Sequence, residues 1–112
     1  MNILLAEDND MLRESLSLLI GLHGHSATQA ENSQVASNYL MNNPVDLVLS
    51  DYDMPQMTGG DLCQVVKDGY PKTRFVCMTG DMRNAKDPRL AGCPILIKPV
   101  PIDILLATIS EK

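Results

Sequence analysis

Five side chains capable of metal and phosphoryl chemistry stand at the ends of short apolar runs in this 112-residue chain. They are Glu7 and Asp8 after the first run, Asp51 after a central run, and Thr79 and Lys98 after two later runs. Three carboxylates brought together repel one another, so their convergence implies a hard divalent cation such as Mg²⁺. A threonine and a lysine opposite that cation suit the oxygens of a phosphoryl group. The set therefore predicts phosphoryl acceptance on a carboxylate, and Asp51 is the candidate nucleophile because it ends the most apolar run.

The apolar runs themselves predict the strands that would position these residues. Residues 3–6, 45–50, 75–78 and 95–97 lack polar alternation, which is typical of parallel strands buried on both faces. A weaker run at 25–30 predicts an edge strand. Since ligands bind at the carboxyl ends of the strands in open parallel sheets, the five candidate residues should meet at one edge.

Segments with helical periodicity separate these strands, at 12–20, 35–40, 62–66 and 102–109. Asp10 and Ser33 are the predicted N-caps of the first two helices, and the third should end around Gly69. The segment 81–92 is polar and contains Pro88, so we expect a loop with at most a short helical turn starting near that proline. The alternation of strands and helices predicts an α/β domain with right-handed crossovers and a doubly wound parallel sheet.

Composition narrows the classes of partner. A net charge of −5 disfavours direct binding of nucleic acid, which needs a basic patch. The cysteines form no CxxC pair, and neither a secretory signal nor an apolar stretch long enough to span a bilayer is visible. We therefore expect a cytoplasmic protein with no nucleic-acid or membrane partner.

The motifs resemble the receiver domain of two-component response regulators (CheY-like) over the whole chain. "LLAEDND" resembles the first strand and acidic pair of that family, and "MTG" and "LIKPV" resemble its Thr and Lys-Pro signatures. "LVLSDYDMPQMTGGDL" resembles the phosphoacceptor loop, with Pro55 and Gly59 four and eight residues after Asp51. The resemblance implies a single (βα)5 flavodoxin-like domain over 1–112, with a five-stranded sheet of order 2-1-3-4-5.

The resemblance implies a role for each matching residue. Asp51 would take a phosphoryl group from a sensor histidine kinase or a histidine phosphotransfer protein. Glu7, Asp8 and Asp51 would hold Mg²⁺, directly or through water, together with the backbone carbonyl of Asp53.

Other roles concern the phosphoryl group. Thr79 and Lys98 would bind its oxygens, and Gly80 would leave it open to solvent and partners. Asp53 and Asp81 occupy positions that tune the lifetime of the acyl phosphate. The family also commonly has a cis peptide bond at the position of Lys98–Pro99.

Three departures from the family pattern bear on the output. Ile95 occupies the position three residues before the conserved lysine, where a switch aromatic is usual. The stretch from Thr79 to Lys98 is shorter than usual, so the fourth helix should be shortened or irregular. No output domain or basic helix follows the receiver sequence, so we expect a stand-alone receiver that signals by binding a downstream protein or by phosphorelay.

Two other functions compete with this interpretation. A receiver-fold interaction module that works without phosphorylation is compatible with the unusual 81–92 segment. A haloacid-dehalogenase-type phosphohydrolase also uses a DxD motif, similar to "DYD" here, but its acidic metal pair lies downstream of that motif rather than before it.

Overall fold

The computed structural model describes residues 1–111, which alternate strands and helices as the sequence predicts. The strands are β1 (Asn2–Ala6), β2 (Ser26–Ala30), β3 (Leu47–Asp51), β4 (Arg74–Thr79) and β5 (Ile95–Ile97). The α-helices of this part of the chain are α1 (Asp10–Leu22), α2 (Ser33–Leu40), α3 (Gly59–Gly69) and α4 (Ile102–Ser110). Within the same residues, no helix is long and apolar enough to cross a membrane.

All neighbouring strands pair in parallel, in the order β2-β1-β3-β4-β5. Leu4 of β1, for example, lies opposite Thr28 of β2 and Val48 of β3. The predicted sheet order and the flavodoxin-like fold are therefore confirmed, and β2 lies at an edge as its weaker apolar pattern predicted.

Each face of the sheet carries its own apolar core. Ile3 and Leu5 of β1 pack with Leu16 of α1 and Leu105 of α4 on one face. The intervening residues of β1 point the other way, where Leu4 packs with residues of α2 and α3. Because both faces are covered, the central strands are apolar at nearly every position, which is why their sequences do not alternate.

The first two helices begin one residue from where the sequence predicted. Asn9 caps α1 by accepting a hydrogen bond from the backbone N–H of Leu12, and Asn32 caps α2 in the same way. The predictions of Asp10 and Ser33 as N-caps were wrong, because asparagine, aspartate and serine cap helices about equally well and adjacent candidates compete. Asp10 instead lies in the first turn of α1, where an acid also favours the helix N-terminus.

The segment expected to be irregular contains two short 3₁₀ turns, at Met82–Lys86 and Pro88–Leu90. The prediction of a shortened or irregular fourth helix is confirmed, including the turn that starts at Pro88. The first turn was not predicted. Asp87 ends the first turn and caps the second, where its carboxylate accepts a hydrogen bond from the backbone N–H of Arg89.

Candidate functional site

The carboxyl ends of four strands bring the five candidate residues to one edge of the sheet. Asp51 and Thr79 are the last residues of β3 and β4, while Glu7 follows β1 directly and Lys98 follows β5 directly. β1 and β3 are neighbours, as are β3 and β4, so parallel pairing places these ends side by side. The sheet topology alone therefore assembles a set of residues spread over more than ninety positions of sequence.

Three carboxylates meet at this edge. Glu7, Asp8 and Asp51 each offer one oxygen, and these oxygens lie within 4.8 Å of one another. The side chains of Glu7 and Asp51 are buried, with residue exposures of 1% and 5%, while Asp8 is exposed. Oxygen ligands at this spacing, one of them open to solvent, fit a Mg²⁺ ion that keeps some of its waters.

Lys98 contacts two of the three carboxylates. Its Nζ lies 2.9 Å from Oε1 of Glu7 and 3.1 Å from Oδ2 of Asp51. Burial lowers the pKa of Lys98, but the hydrogen bond to Glu7 and the charge of Asp51 outweigh it, so the pKa is raised overall. Partial burial and the neighbouring Glu7 raise the pKa of Asp8. The ammonium therefore compensates the carboxylates only in part, and the site retains an excess of negative charge that suits a cation.

The backbone next to these groups is also fixed. The second carboxylate oxygen of Glu7 accepts a hydrogen bond of 3.1 Å from the backbone N–H of Asn9. The carbonyl of Glu7 accepts another from Arg13 Nη1, at 2.9 Å. The Lys98–Pro99 peptide bond is cis. The two hydrogen bonds to Glu7 hold the end of β1 in place.

The hydroxyl of Thr79 is held by a residue that the sequence analysis missed. Thr79 is fully buried, and its Oγ1 accepts hydrogen bonds from the backbone N–H of Asp81 at 3.1 Å and from Nδ2 of Asn84 at 2.9 Å. The same Nδ2 lies 3.3 and 3.4 Å from the two carboxylate oxygens of Asp53. Asn84 belongs to no motif, and only the 3₁₀ turn at 82–86 carries its side chain to this site.

The remaining predicted residues occupy different surroundings. The Asp81 carboxylate pairs with Arg83, 2.6 Å from its Nη2, and this pairing lowers the pKa of Asp81 to about 2. A Cβ added at Gly80 would meet nothing within 4 Å in the described part of the chain, so the space beside it is open. Ile95 is half-buried at the start of β5 and packs against the core that α2 and α3 cover.

A second polar network ties the loop after Asp51 to the 3₁₀ turns. The hydroxyl of Tyr52 donates a hydrogen bond of 2.7 Å to Asp87, whose carboxylate also pairs with Arg89. Arg89 in turn pairs with Asp61, whose carboxylate completes the capping box that Thr58 begins at the N-terminus of α3. Hydrogen bonding to Arg89 lowers the pKa of Asp87 and outweighs the opposing effect of burial. The network joins the loop after Asp51, α3 and the 82–90 segment.

Comparison with known proteins agrees with this architecture. Residues 3–110 match the sequence model of the response regulator receiver domain. Response regulator protein FleR of Pseudomonas aeruginosa is 32% identical over 112 residues, which cover 97% of this chain and 24% of FleR. This chain spans about a quarter of the length of FleR and 9% of the autoinducer 1 sensor kinase/phosphatase LuxN of Vibrio campbellii.

Solved structures match along almost the whole chain. A response regulator receiver protein from Pseudomonas putida superposes with a TM-score of 0.90 at 26% identity, covering 99% of this chain and 96% of the other. Response regulator protein TrrA from Thermotoga maritima, in complex with Mg²⁺ and BeF, has the same fold at 21% identity, with a TM-score of 0.90 and coverage of 96% and 95%. With its sheet order, its acidic edge and a family match over residues 3–110, this chain belongs to the response regulator receiver domain family.

Proposed function

We propose that Asp51 accepts a phosphoryl group from the phosphohistidine of a sensor histidine kinase or of a histidine phosphotransfer protein. The observation that carries this proposal is the placement of the Asp51 carboxylate at the tip of β3, beside two further carboxylates and 3.1 Å from Lys98 Nζ. An Asp51 oxygen attacks phosphorus, the bond from phosphorus to the histidine nitrogen breaks, and its electron pair stays on the imidazole.

The acidic cluster supports a role for Mg²⁺ in this transfer. Glu7, Asp8 and Asp51 would hold the ion, with the backbone carbonyl of Asp53 as a further ligand. When bound, the ion would offset the charge of the phosphoryl oxygens. Receiver domains in general bind Mg²⁺ at an acidic pocket, and TrrA was crystallised with Mg²⁺ and BeF.

The groups around Asp51 would receive the new charge. Lys98 already contacts the Asp51 carboxylate, so a small movement of its flexible stem brings the ammonium to a phosphoryl oxygen. Thr79 would donate its hydroxyl proton to a second oxygen, and the open space at Gly80 leaves the group accessible to solvent and partners. Asp53 and Asp81 would tune the lifetime of the acyl phosphate from the two sides of this opening.

We propose that the output is protein binding or phosphorelay. The net charge of −5 disfavours nucleic acid as the partner, because binding to its phosphates needs a basic patch. Ile95 replaces the usual switch aromatic, so the response would pass through the segment after Gly80 in another form. We propose that residues 1–112 act together as a single receiver domain.

Phosphorylation by a small donor tests the proposal. The purified chain is incubated with acetyl phosphate, with Mg²⁺ or with EDTA, and its intact mass is measured. We expect a gain of one phosphoryl group that requires Mg²⁺ and disappears in Asp51→Asn. If neither acetyl phosphate nor a phosphorylated histidine phosphotransfer protein modifies Asp51, the proposal is refuted.

One observation favours a second function, a binding module that does not need phosphorylation. The polar network at Tyr52, Asp87 and Arg89 holds the 82–90 segment through contacts that do not involve Asp51. Partner binding that is equally tight for the wild type, its phosphorylated form and Asp51→Asn would support this alternative. Receiver domains are signalling modules rather than classical enzymes, so the phosphohydrolase alternative has no support from the family assignment.

A further inference from the structure

The side-chain amide of Asn84 stands between two groups that flank the proposed phosphoryl position. Its Nδ2 is 2.9 Å from Oγ1 of Thr79 and 3.3 Å from the nearer carboxylate oxygen of Asp53. We infer that Asn84 is a positioning residue that fixes the Thr79 hydroxyl as a hydrogen-bond donor toward a phosphoryl group on Asp51. This inference rests on the proposed function and goes beyond it, because no receiver motif in the chain includes Asn84.

The first step follows from the valence of a hydroxyl. Oγ1 of Thr79 has two lone pairs and one proton. Its lone pairs accept from the backbone N–H of Asp81 and from Nδ2 of Asn84, so the proton must point elsewhere. The proton has an acceptor in the carbonyl of Asp81, but at 3.3 Å this bond is longer than the usual 2.7–2.8 Å of O–H···O bonds. The hydroxyl is thus held as a donor whose present acceptor is a weak one.

The second step concerns the direction in which the Asn84 amide faces. An asparagine side chain can present either its NH₂ group or its oxygen to a neighbour. The Asp53 carboxylate selects the NH₂ group, because a carboxylate accepts hydrogen bonds and would repel the amide oxygen. The two protons of Nδ2 then serve Asp53 and Thr79, one each. Asp53 therefore acts on Thr79 through Asn84.

The third step is that the backbone holds Asn84 in place. Asn84 lies in the 3₁₀ turn Met82–Lys86. Asp81 caps this turn, because its carboxylate accepts a hydrogen bond from the backbone N–H of Arg83. The backbone N–H of Asn84 donates to the carbonyl of Asp81 at 3.0 Å. This tight turn stands where the family resemblance implied an α-helix, and it carries the Asn84 amide back to Thr79 at the end of β4.

Beryllofluoride tests the inference because, with Mg²⁺, it binds aspartate as a phosphoryl analogue without a chemical step. We would measure its affinity by calorimetry for the wild type, Asn84→Ala, Thr79→Ala and the double variant, with Asn42→Ala as an exposed asparagine control. One lost hydrogen bond should weaken binding by about 3- to 10-fold in Asn84→Ala. In the Thr79→Ala background the same change should have less than about a twofold effect, since the two residues act as a unit.

The isosteric variant Asn84→Asp gives the sharper contrast. Its carboxylate has no N–H to donate, faces the Asp53 carboxylate and competes for the Thr79 proton. We therefore expect Asn84→Asp to bind beryllofluoride more weakly than Asn84→Ala, although it preserves the shape of the side chain. Equal or tighter binding by Asn84→Asp would overturn the inference.

A second measurement, by NMR on the protein without metal or phosphoryl analogue, accompanies the affinity measurement. The side-chain ¹⁵N–¹H signals of Asn84 should shift in metal-free Thr79→Ala and Asp53→Asn, and should stay in place in Asn42→Ala. Unshifted signals in both variants, or additive effects of Asn84 and Thr79 on affinity, would overturn the inference and leave the proposed function standing. Absence of both beryllofluoride binding and phosphorylation in the wild type would overturn the proposed function and this inference with it.

Discussion

Gly59, the first residue of α3, leaves room for the backbone of Asp51, the proposed phosphoacceptor. A Cβ built at this position would lie 2.6 Å from the carbonyl oxygen of Asp51 and 2.8 Å from Cα of Tyr52. Both atoms belong to the backbone, so no side-chain rotation relieves the contact. We predict that Gly59→Ala both destabilises the fold and displaces the acidic edge of the sheet at Asp51.

Two opposing effects, the steric clash and the helix propensity of alanine, set the expected change in the free energy of unfolding. Overpacking a well-packed site costs about 1–3 kcal/mol in the free energy of unfolding. Alanine is favoured over glycine inside a helix by up to about 1 kcal/mol, and less of this applies at the first position of α3. The clash should outweigh the helix propensity of alanine, because the short contacts are to backbone atoms and ordinary van der Waals contacts begin near 3.4 Å. We expect a net loss of about 1–2 kcal/mol.

Gly21→Ala is the matched control. Gly21 lies inside α1, it is exposed, and a Cβ there would meet nothing within 4 Å in the described part of the chain. Because Gly21 is the penultimate residue of α1, only part of the mid-helix preference applies, and the same change should stabilise the protein by up to about 0.5 kcal/mol. Urea unfolding followed by far-ultraviolet circular dichroism gives both values, and Mg²⁺ titration of each variant reports on the site.

Opposite signs for the two variants are the essential outcome. Mg²⁺ affinity should fall in Gly59→Ala and stay unchanged in Gly21→Ala, because only the first moves the Asp51 backbone. If Gly59→Ala were as stable as Gly21→Ala and bound Mg²⁺ normally, the close approach of α3 to β3 would not constrain the site, and the reasoning would fail.

Three further predictions concern charge and packing. Asp87→Asn should cost about 1 kcal/mol near neutral pH, because Arg89 lowers the pKa of Asp87 and so stabilises the folded state above the unfolded pKa of about 3.9. In urea unfolding at several pH values this cost should shrink as the pH falls below about 4, and a constant difference would contradict it. Lys98→Met leaves the buried Glu7 without its cation, so the melting temperature of the variant in EDTA should be lower than that of the wild type. Adding Mg²⁺ should raise the melting temperature of the variant by more than it raises that of the wild type. Identical responses to Mg²⁺ would refute this. Leu105→Ala, at a fully buried position, should cost about 2–5 kcal/mol in urea unfolding with an unchanged m-value, and a cost below about 1 kcal/mol would contradict the packing shown.

The sheet could be predicted from sequence because strands buried on both faces are apolar at nearly every position, without polar alternation. β5 was predicted at 95–97 and is found at Ile95–Ile97, and the other apolar runs lie within two residues of the observed strands. The site residues followed from the same signature, since Glu7, Asp51, Thr79 and Lys98 are the polar residues at which these runs stop. Parallel pairing then brings Glu7, Asp51 and Lys98 into contact.

The polar contacts of the 82–90 segment could not be predicted in this way. Asn84 and Arg89 have no periodicity and no motif, and they also contact Asp53 and Asp61, which lie 31 and 28 residues away in sequence. The N-cap predictions failed for a related reason. Asn9 and Asp10 are equally good N-cap residues by type, and only the backbone conformation decides between them. Residue type predicts that a polar side chain needs a partner, but tertiary structure chooses which one.

The 82–90 segment differs from a helix in what keeps it ordered. Its backbone forms two short 3₁₀ turns, at Met82–Lys86 and Pro88–Leu90, and such turns do not propagate as an α-helix does. Side-chain contacts supply the rest of its order, and they end on Tyr52 and Asp53, the two residues that follow Asp51. A helix tolerates the loss of one surface contact because its backbone ladder remains. This segment has only two short 3₁₀ turns, so side chains that contact the residues next to Asp51 also help to hold it in place.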